Sequence, residues 1–124
     1  MTAVPDIRFH PDVGAVDLPA LVRGCTTPEQ AAELLGQVQR AIAEVIAGPG
    51  RPIHDVLPPY KGWHRKKFHA VRRPAEGARA DLRLIYRYQA SPHGATLRVL
   101  ATGRRIPGHP DDIYALHQSR PQQF

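Results

Sequence analysis

The feature that most constrains the fold is residues 27–48, TPEQAAELLGQVQRAIAEVIAG, which carry the signals of one long amphipathic helix. Thr27 is a favourable N-cap, Pro28 suits the first helical position, and Gln30 completes the capping pattern. Gly48 predicts the end of the helix. Aliphatic residues recur at helical spacing between the two ends: Leu34, Leu35, Val38, Ala41, Ile42, Val45 and Ile46. This stripe requires an apolar surface to cover it, and the mixed charge of the polar face favours core packing over a membrane surface.

After a proline-rich stretch, the hydrophobic pattern changes to a period of two. Residues 63–73 (WHRKKFHAVRR), 81–90 (DLRLIYRYQA) and 96–103 (TLRVLATG) predict three successive strands, with a turn at 91–95. Short turns between successive strands favour an antiparallel meander, with the long helix covering one face. Residues 6–10 (DIRFH) predict one further short strand.

Two short helical segments complete the predicted elements. Residues 17–24 (DLPALVRG) predict a short helix that begins at Asp17 and stops at Gly24. Residues 111–120 (DDIYALHQSR) predict a short C-terminal helix or turn with Asp111 as its cap. We therefore expect a single α+β domain over residues 1–124, with the helices packed on one face of a small antiparallel sheet.

The charge of the chain is unevenly distributed. Residues 1–50 hold three arginines and six acidic residues, whereas residues 51–124 hold fourteen lysines or arginines and five acidic residues. A cationic half built on strands favours a polyanion or an acidic protein as partner, although a generically basic surface is the alternative.

The period of the predicted strands sorts their side chains onto two faces. Leu82, Leu84, Tyr86 and Tyr88 share one face, which suits the helix. The opposite face gathers cationic side chains around Ile85: Arg65, Lys67, His69, Arg83 and Arg87. On period alone, a cationic binding surface and the ordinary wet side of a sheet remain equally open. Trp63 suits a core position better than a stacking platform for a base.

Several classes of protein are disfavoured by what the sequence lacks. It has no apolar run long enough to span a bilayer and no leader pattern, so we expect a soluble, cytoplasmic protein. Cys25 is the single cysteine, which leaves no intramolecular disulfide. Neither a metal-ligand spacing nor a phosphate-binding loop is present, so no metal and no cofactor are predicted.

Residues 28–117 resemble the RelE/ParE superfamily of toxins from type II toxin–antitoxin pairs. The resemblance rests on the order of four motifs after the helix: YKG…KKF, LRLIYR, LRVLATGRR and DIYAL. The resemblance implies N-terminal helices packed on a curved antiparallel sheet. For the RelE-like branch it implies a metal-independent endoribonuclease that cleaves mRNA, expected on the ribosome, by attack of the 2′-OH on the adjacent phosphate.

Site roles follow from the same resemblance. Arg65 and Lys67 match the basic residues of the strand before the central one, and Arg83 matches the arginine that grips the scissile phosphate. Arg105, or its neighbour Arg104, matches the acid for the leaving group, and Tyr114 matches the residue that stacks on or orients the base. The other basic residues predicted to bind RNA are Lys61, Lys66, Arg72, Arg73, Arg87 and Arg104.

The identity of the general base stays open. Neighbouring like charges lower a lysine pKa, which favours Lys67. His69 lies on the same predicted strand face and is a rival, and His117, one helical turn from Tyr114, is a second.

Three functions remain under this resemblance. The first is an mRNA-cleaving toxin that also binds ribosomal RNA. The second is a ParE-like inhibitor of DNA gyrase that cuts no RNA, and the third is an inactive member that only binds a partner. In each toxin reading, the resemblance implies a small acidic antitoxin as partner.

Overall fold

The computed structural model of the protein describes residues 6–48, 62–92, 94–116, 120–121 and 124. The chain forms an α+β fold of four strands and three helices in this part. In chain order the elements are β1 (Asp6–Phe9), a π-helical turn (Val13–Asp17), α1 (Leu18–Arg23), α2 (Pro28–Ala47), β2 (His64–Phe68), β3 (Leu82–Ser91), β4 (Gly94–Arg104) and α3 (Ile113–Leu116).

Helix α2 has the predicted boundaries, and its ends show why. The Thr27 side chain accepts a hydrogen bond from the Gln30 N–H, and the Gln30 side chain in turn accepts from the N–H of Thr26. One donor of the first turn and the N–H of the residue before the cap are thereby satisfied. At the other end, the Gly48 N–H donates to the carbonyl of Glu44. The buried stripe consists of Leu34, Val38, Ala41 and Val45.

The sheet is mixed, with strand order β1-β4-β3-β2. Strands β2, β3 and β4 form the predicted antiparallel meander, in which Lys67 lies opposite Arg83 and Arg83 lies opposite Gly103. The expectation of a wholly antiparallel sheet was wrong for β1, which pairs parallel to β4. The chain between β1 and β4 includes both N-terminal helices and two strands, which gives the length that a parallel pairing requires.

A β-bulge interrupts the pairing of β3 with β4. Ile85 pairs with Ala101 and Tyr86 with Val99, so Leu100 is the extra residue on β4. A bulge bends and twists its strand, which adds curvature to the sheet.

Each face of the sheet carries its own apolar cluster. The larger cluster packs Leu82, Leu84 and Tyr86 against the stripe of α2, as predicted. The second cluster lies on the opposite face, where a cationic and solvated surface was expected. Its buried members are Trp63, Ile85, Leu100, Ala101 and Ile113, with Tyr114 and Phe124 packed against them. The expectation of an open face was therefore wrong, because α3 and Phe124 cover part of it.

The first and last elements of the basic half are shorter than the sequence predicted. Strand β2 ends at Phe68 rather than continuing to residue 73, since the Ala70 N–H leaves the ladder and donates to the carboxylate of Asp81. Helix α3 begins at Ile113, two residues after the predicted start, and residues 117–119 of the predicted element lie outside the described residues. Among the described residues, no helix is long and apolar enough to cross a membrane.

Candidate functional site

Three of the predicted site residues come together on the second face of the sheet. Arg65 extends from β2, Arg105 follows the end of β4, and Tyr114 lies in α3. The Arg65 Nη1 donates to the Tyr114 hydroxyl at 3.4 Å, and the Arg105 guanidinium lies 4.8 Å from the centroid of the Tyr114 ring. We call Arg65, Arg105 and Tyr114 the arginine–tyrosine cluster. Residues that are far apart in sequence thus form one contiguous group with two cations and one phenol.

Asp112 holds the loop between β4 and α3 in place. Its carboxylate accepts hydrogen bonds from the Ile106 N–H at 2.6 Å and from the Tyr114 N–H at 3.2 Å. It also pairs with Arg105 at 2.7 Å, and the Asp112 side chain is only 6% exposed. The cap of α3 is therefore Asp112 and not the predicted Asp111. One carboxylate sets the positions of both Arg105 and Tyr114.

The protonation of Asp112 is controlled by these contacts. Burial of the carboxyl opposes its ionisation, but the hydrogen bond from Arg105, the N–H of Ile106 and the nearby guanidinium charge hold its pKa below the ordinary value of 3.8. Asp112 is therefore an anion at neutral pH, and it partly neutralises Arg105.

Arg83 lies on the predicted face but is buried, with 9% of its surface exposed. Its Nη1 donates to the main-chain oxygens of Ala80 at 2.8 Å and Leu82 at 2.9 Å. The expectation of an open, solvated arginine at this position was therefore wrong. The guanidinium is anchored to its own strand and to the residues that lead into it.

Two guanidinium nitrogens of this face lack acceptors. The Nε atoms of Arg65 and Arg83 are buried and have no hydrogen-bond partner within the part of the chain that the structure describes. Unsatisfied buried donors are uncommon in folded proteins, and a charged donor raises the cost of leaving one unpaired. Because the two atoms are closed off from solvent, an acceptor from outside could reach them only if the arginine side chains moved.

The candidate bases differ in their surroundings. Lys67 is exposed on the edge strand β2 and lies opposite Arg83 in the register. His69 follows the strand and is half-buried, and its main-chain oxygen accepts a hydrogen bond from Gln37 of α2. Both residues line a groove of about 230 Å³ between β2 and α2, which also includes Arg40. His117, the third candidate, lies outside the described residues.

The residues predicted to bind RNA are dispersed. Arg87 lies 4.5 Å from the centroid of the Trp63 ring, next to the second apolar cluster. Its Nε donates to the Gly62 carbonyl at 3.3 Å, and Gly62 has a φ of +87°, a conformation that favours glycine. A Cβ at Gly62 would lie 2.9 Å from the Arg87 guanidinium, which explains the missing side chain. Arg87 is thus fixed beside the tryptophan.

The other basic residues do not join this face. Lys66 points to the helix side and pairs with Glu44 of α2 at 2.9 Å. Arg104 approaches Asp81 at 3.8 Å, and its guanidinium packs against Gly24, after α1. Arg72 and Arg73 are exposed in the segment after β2, and Lys61 lies outside the described residues.

Sequence reasoning missed two features of this site. The cap of the C-terminal element was assigned to Asp111, although Asp112, directly before the apolar IYAL run, is itself a capping signal. Arg98 was not singled out, and its contact with Phe124 joins residues whose proximity no local pattern indicates. No group of three or more metal-ligating side chains occurs among the residues with described positions.

The fold and the site together define a small α+β protein whose second sheet face presents arginines around a tyrosine and a tryptophan. Comparison of the chain with family models, curated proteins and solved structures finds no match.

Proposed function

We propose that the protein is a RelE-like toxin that cleaves mRNA on the ribosome, without a metal, by attack of the 2′-OH on the adjacent phosphate. The observation that carries the proposal is the arginine–tyrosine cluster. Arg65 of β2 and Arg105, which follows β4, both contact Tyr114 on the face that also holds Arg83.

Arginines supply what this reaction needs most. RNA provides its own nucleophile, so the protein has to stabilise the negative charge that accumulates on the phosphate in the transition state. Guanidinium groups bind phosphate oxygens with paired, charge-assisted hydrogen bonds. Arg65 and Arg105 supply two such groups beside Tyr114. Anchoring of the Arg83 Nη1 on two main-chain oxygens orients the group before substrate arrives.

The proposed proton transfers use groups on both sides of the edge strand β2. Lys67 or His69, which line the groove at that edge, accepts the proton of the 2′-OH, and Arg105 stabilises or protonates the leaving 5′-oxygen. Tyr114 stacks on or orients a base. Because Asp112 already pairs with Arg105, the substrate phosphate competes with that carboxylate for the guanidinium.

The proposed partners follow from the same surface. Messenger and ribosomal RNA bind the cationic face, and a small acidic antitoxin silences the protein by covering it. Action on translating ribosomes places the protein in the cytoplasm.

A second candidate function, a non-catalytic module that binds a partner protein, is favoured by the state of two arginines. Arg83 is buried against its own backbone, and Arg105 is partly neutralised by Asp112. In that function the face recognises an acidic surface and performs no chemistry.

The direct test is incubation of the purified protein with ribosomes carrying a defined message. Cleavage by the proposed route leaves one product with a 2′,3′-cyclic phosphate, and a message with a 2′-deoxy sugar at the mapped cut site stays intact. Absence of any cut with intact binding would favour the non-catalytic module.

A second experiment distinguishes mRNA cleavage from the alternative function, inhibition of DNA gyrase. Induced expression of the chain is expected to stop translation before any DNA damage response appears. The reverse order, with translation initially intact, would move the assignment to gyrase inhibition.

A further inference from the structure

The second apolar cluster includes an aromatic slot that a residue of the same chain occupies. The Phe124 ring stacks on Trp63 with centroids 6.1 Å apart and an interplanar angle of 17°. It also meets the His10 ring edge to face, with centroids 5.3 Å apart. Arg98 donates to the main-chain oxygen of Phe124, and its guanidinium lies 5.8 Å from the ring. We call Trp63, His10 and Arg98 the aromatic slot.

The contacts that hold Phe124 differ in kind from those that hold Arg120. Arg120 forms a two-pronged pair with Asp17 at 2.9 and 3.0 Å, and the two side chains are 6% and 2% exposed. It also donates to the Leu100 carbonyl at 3.0 Å. Phe124 is held by its ring contacts and by one hydrogen bond from Arg98 to its main-chain oxygen, and it stays half-buried. Phe124 can therefore leave the slot while Arg120 remains bound.

The aromatic slot offers the contacts that a nucleotide uses. An unstacked base binds proteins by lying on an aromatic ring, and its phosphate binds guanidinium groups. Trp63 supplies the ring, and Arg98 supplies a guanidinium that already holds an oxygen atom. A second guanidinium, that of Arg87, lies 4.5 Å from the Trp63 centroid.

The slot adjoins the arginine–tyrosine cluster. Trp63 directly precedes β2 and lies two residues before Arg65, a separation of roughly 6–7 Å along an extended chain. Ile113, the neighbour of Tyr114, belongs to the same buried cluster as Trp63. A strand of RNA bound at Arg65 and Tyr114 therefore has its next bases within reach of the slot.

We propose that the aromatic slot binds one unstacked nucleotide of single-stranded RNA, and that Phe124 covers it until RNA displaces the ring. The proposal deepens the proposed function and rests on it for the identity of the polymer. RNA is favoured over a peptide because each nucleotide brings both a ring and a phosphate, which matches the two guanidinium groups beside Trp63. A peptide with an aromatic residue is the competing occupant, and the experiment includes it.

Fluorescence reports on the slot directly, because Trp63 is the only tryptophan of the chain. The probe is a five-nucleotide oligodeoxyadenylate, which lacks the 2′-OH and so cannot be cut by the proposed reaction. The matched probe is an abasic oligomer with the same number of phosphates. We expect the oligodeoxyadenylate to quench Trp63 in a saturable manner, and Phe124→Ala to tighten its binding about tenfold, the range of one base stack. Binding of the abasic oligomer is expected to be the same in both proteins.

A pair of arginine variants tests the phosphate contact. Arg98→Gln is expected to weaken binding of the oligodeoxyadenylate to Phe124→Ala about tenfold. Arg23→Gln removes the same charge from the exposed end of α1 and is expected to change that affinity by less than about twofold.

Three results would overturn the slot proposal. The first is equal affinity of wild type and Phe124→Ala for the oligodeoxyadenylate. The second is equal quenching of Trp63 by the oligodeoxyadenylate and the abasic oligomer. The third is quenching by a peptide ending in RPQQF but not by either oligomer.

The slot and the proposed function fail separately. Tight base-dependent binding without cleavage of a ribosome-bound message would leave the slot intact and remove the nuclease, whereas cleavage without base-dependent quenching would do the reverse.

Discussion

At the scale of single residues, the burial of Arg83 changes what its removal should do. An exposed arginine can be truncated with little effect on stability, but Arg83 is anchored to two main-chain oxygens and 9% exposed. Charge-assisted hydrogen bonds contribute more than neutral ones, although the cost of burying the guanidinium offsets part of the gain. A role in phosphate binding and a role in stability therefore have to be separated by experiment.

We predict that Arg83→Ala lowers the free energy of unfolding by about 1–3 kcal/mol. Arg72→Ala is the matched control, because Arg72 is exposed and its main-chain N–H, rather than its side chain, bonds to Glu33. That variant is expected to stay within about 0.5 kcal/mol of wild type. Urea unfolding measures both, and equal midpoints and slopes for the two variants would show that the buried contacts of Arg83 contribute nothing.

Asp112 gives a prediction that depends on pH. Its pKa is lower in the folded protein than the ordinary 3.8, so its contribution to stability is fully present above that value and is lost as the pH falls through the folded pKa. Asp112→Asn removes the charge but keeps a side chain that can cap α3. We expect it to cost about 1–2 kcal/mol at pH 7, a modest figure because the Arg105 side chain is 31% exposed and screened by solvent.

The same comparison at low pH supplies the control for Asp112. Below the folded pKa the wild-type carboxyl is neutral, so the difference in urea midpoint between wild type and Asp112→Asn should shrink as the pH falls below 3.8 and through the folded pKa. A difference that stays constant from pH 7 down to the lowest pH at which both proteins fold would mean that the Arg105 pair does not contribute through charge.

At the scale of elements, the sequence was most informative where local patterns decide the structure. Helix α2 follows from its caps and stripe, and β3 and β4 follow from their alternation. The bulge at Leu100 was not predictable, because a single extra residue leaves the hydrophobic alternation of each strand almost unchanged. The parallel pairing of β1 was missed for a similar reason, since the sequence of a four-residue strand does not specify its partner.

The N-cap of α2 allows a test of how much capping contributes to the stability of the protein. Thr27→Ala removes the acceptor for the Gln30 N–H, at 3.1 Å, and is expected to destabilise the protein by about 1 kcal/mol. Thr27→Ser retains a hydroxyl at that position and is expected to remain within a few tenths of wild type. Thermal melts compare the two, and identical losses would assign the effect to the lost methyl group.

At the scale of the whole molecule, the sheet uses both of its faces. One face packs on the helices, and the other carries a second apolar cluster ringed by arginines. The sequence predicted which strand residues point to which face, and the register supports that assignment for Arg65, Lys67 and Arg83. It did not predict that the second face would be partly covered, because the contacts of Trp63 with Phe124 join opposite ends of the basic half.

The contacts of the arginine–tyrosine cluster were not predictable from the sequence either. The meeting of Arg65 and Tyr114 joins residues 49 positions apart. Their roles were inferred from a resemblance, whereas their contact depends on Asp112 folding the β4–α3 loop back onto the sheet. No local pattern specifies that loop, although the capping signal of Asp112 indicates where it ends.

The central claim, that the arginine–tyrosine cluster stabilises a phosphate during RNA cleavage, is tested most directly by single-turnover rates on a ribosome-bound message. Arg65→Gln is compared with Arg23→Gln, which loses the same charge at the exposed end of α1, and thermal melts confirm that both fold. We predict that Arg65→Gln cleaves about 10²–10³-fold more slowly than wild type while Arg23→Gln stays within about twofold. Equal rates for all three proteins would contradict the account.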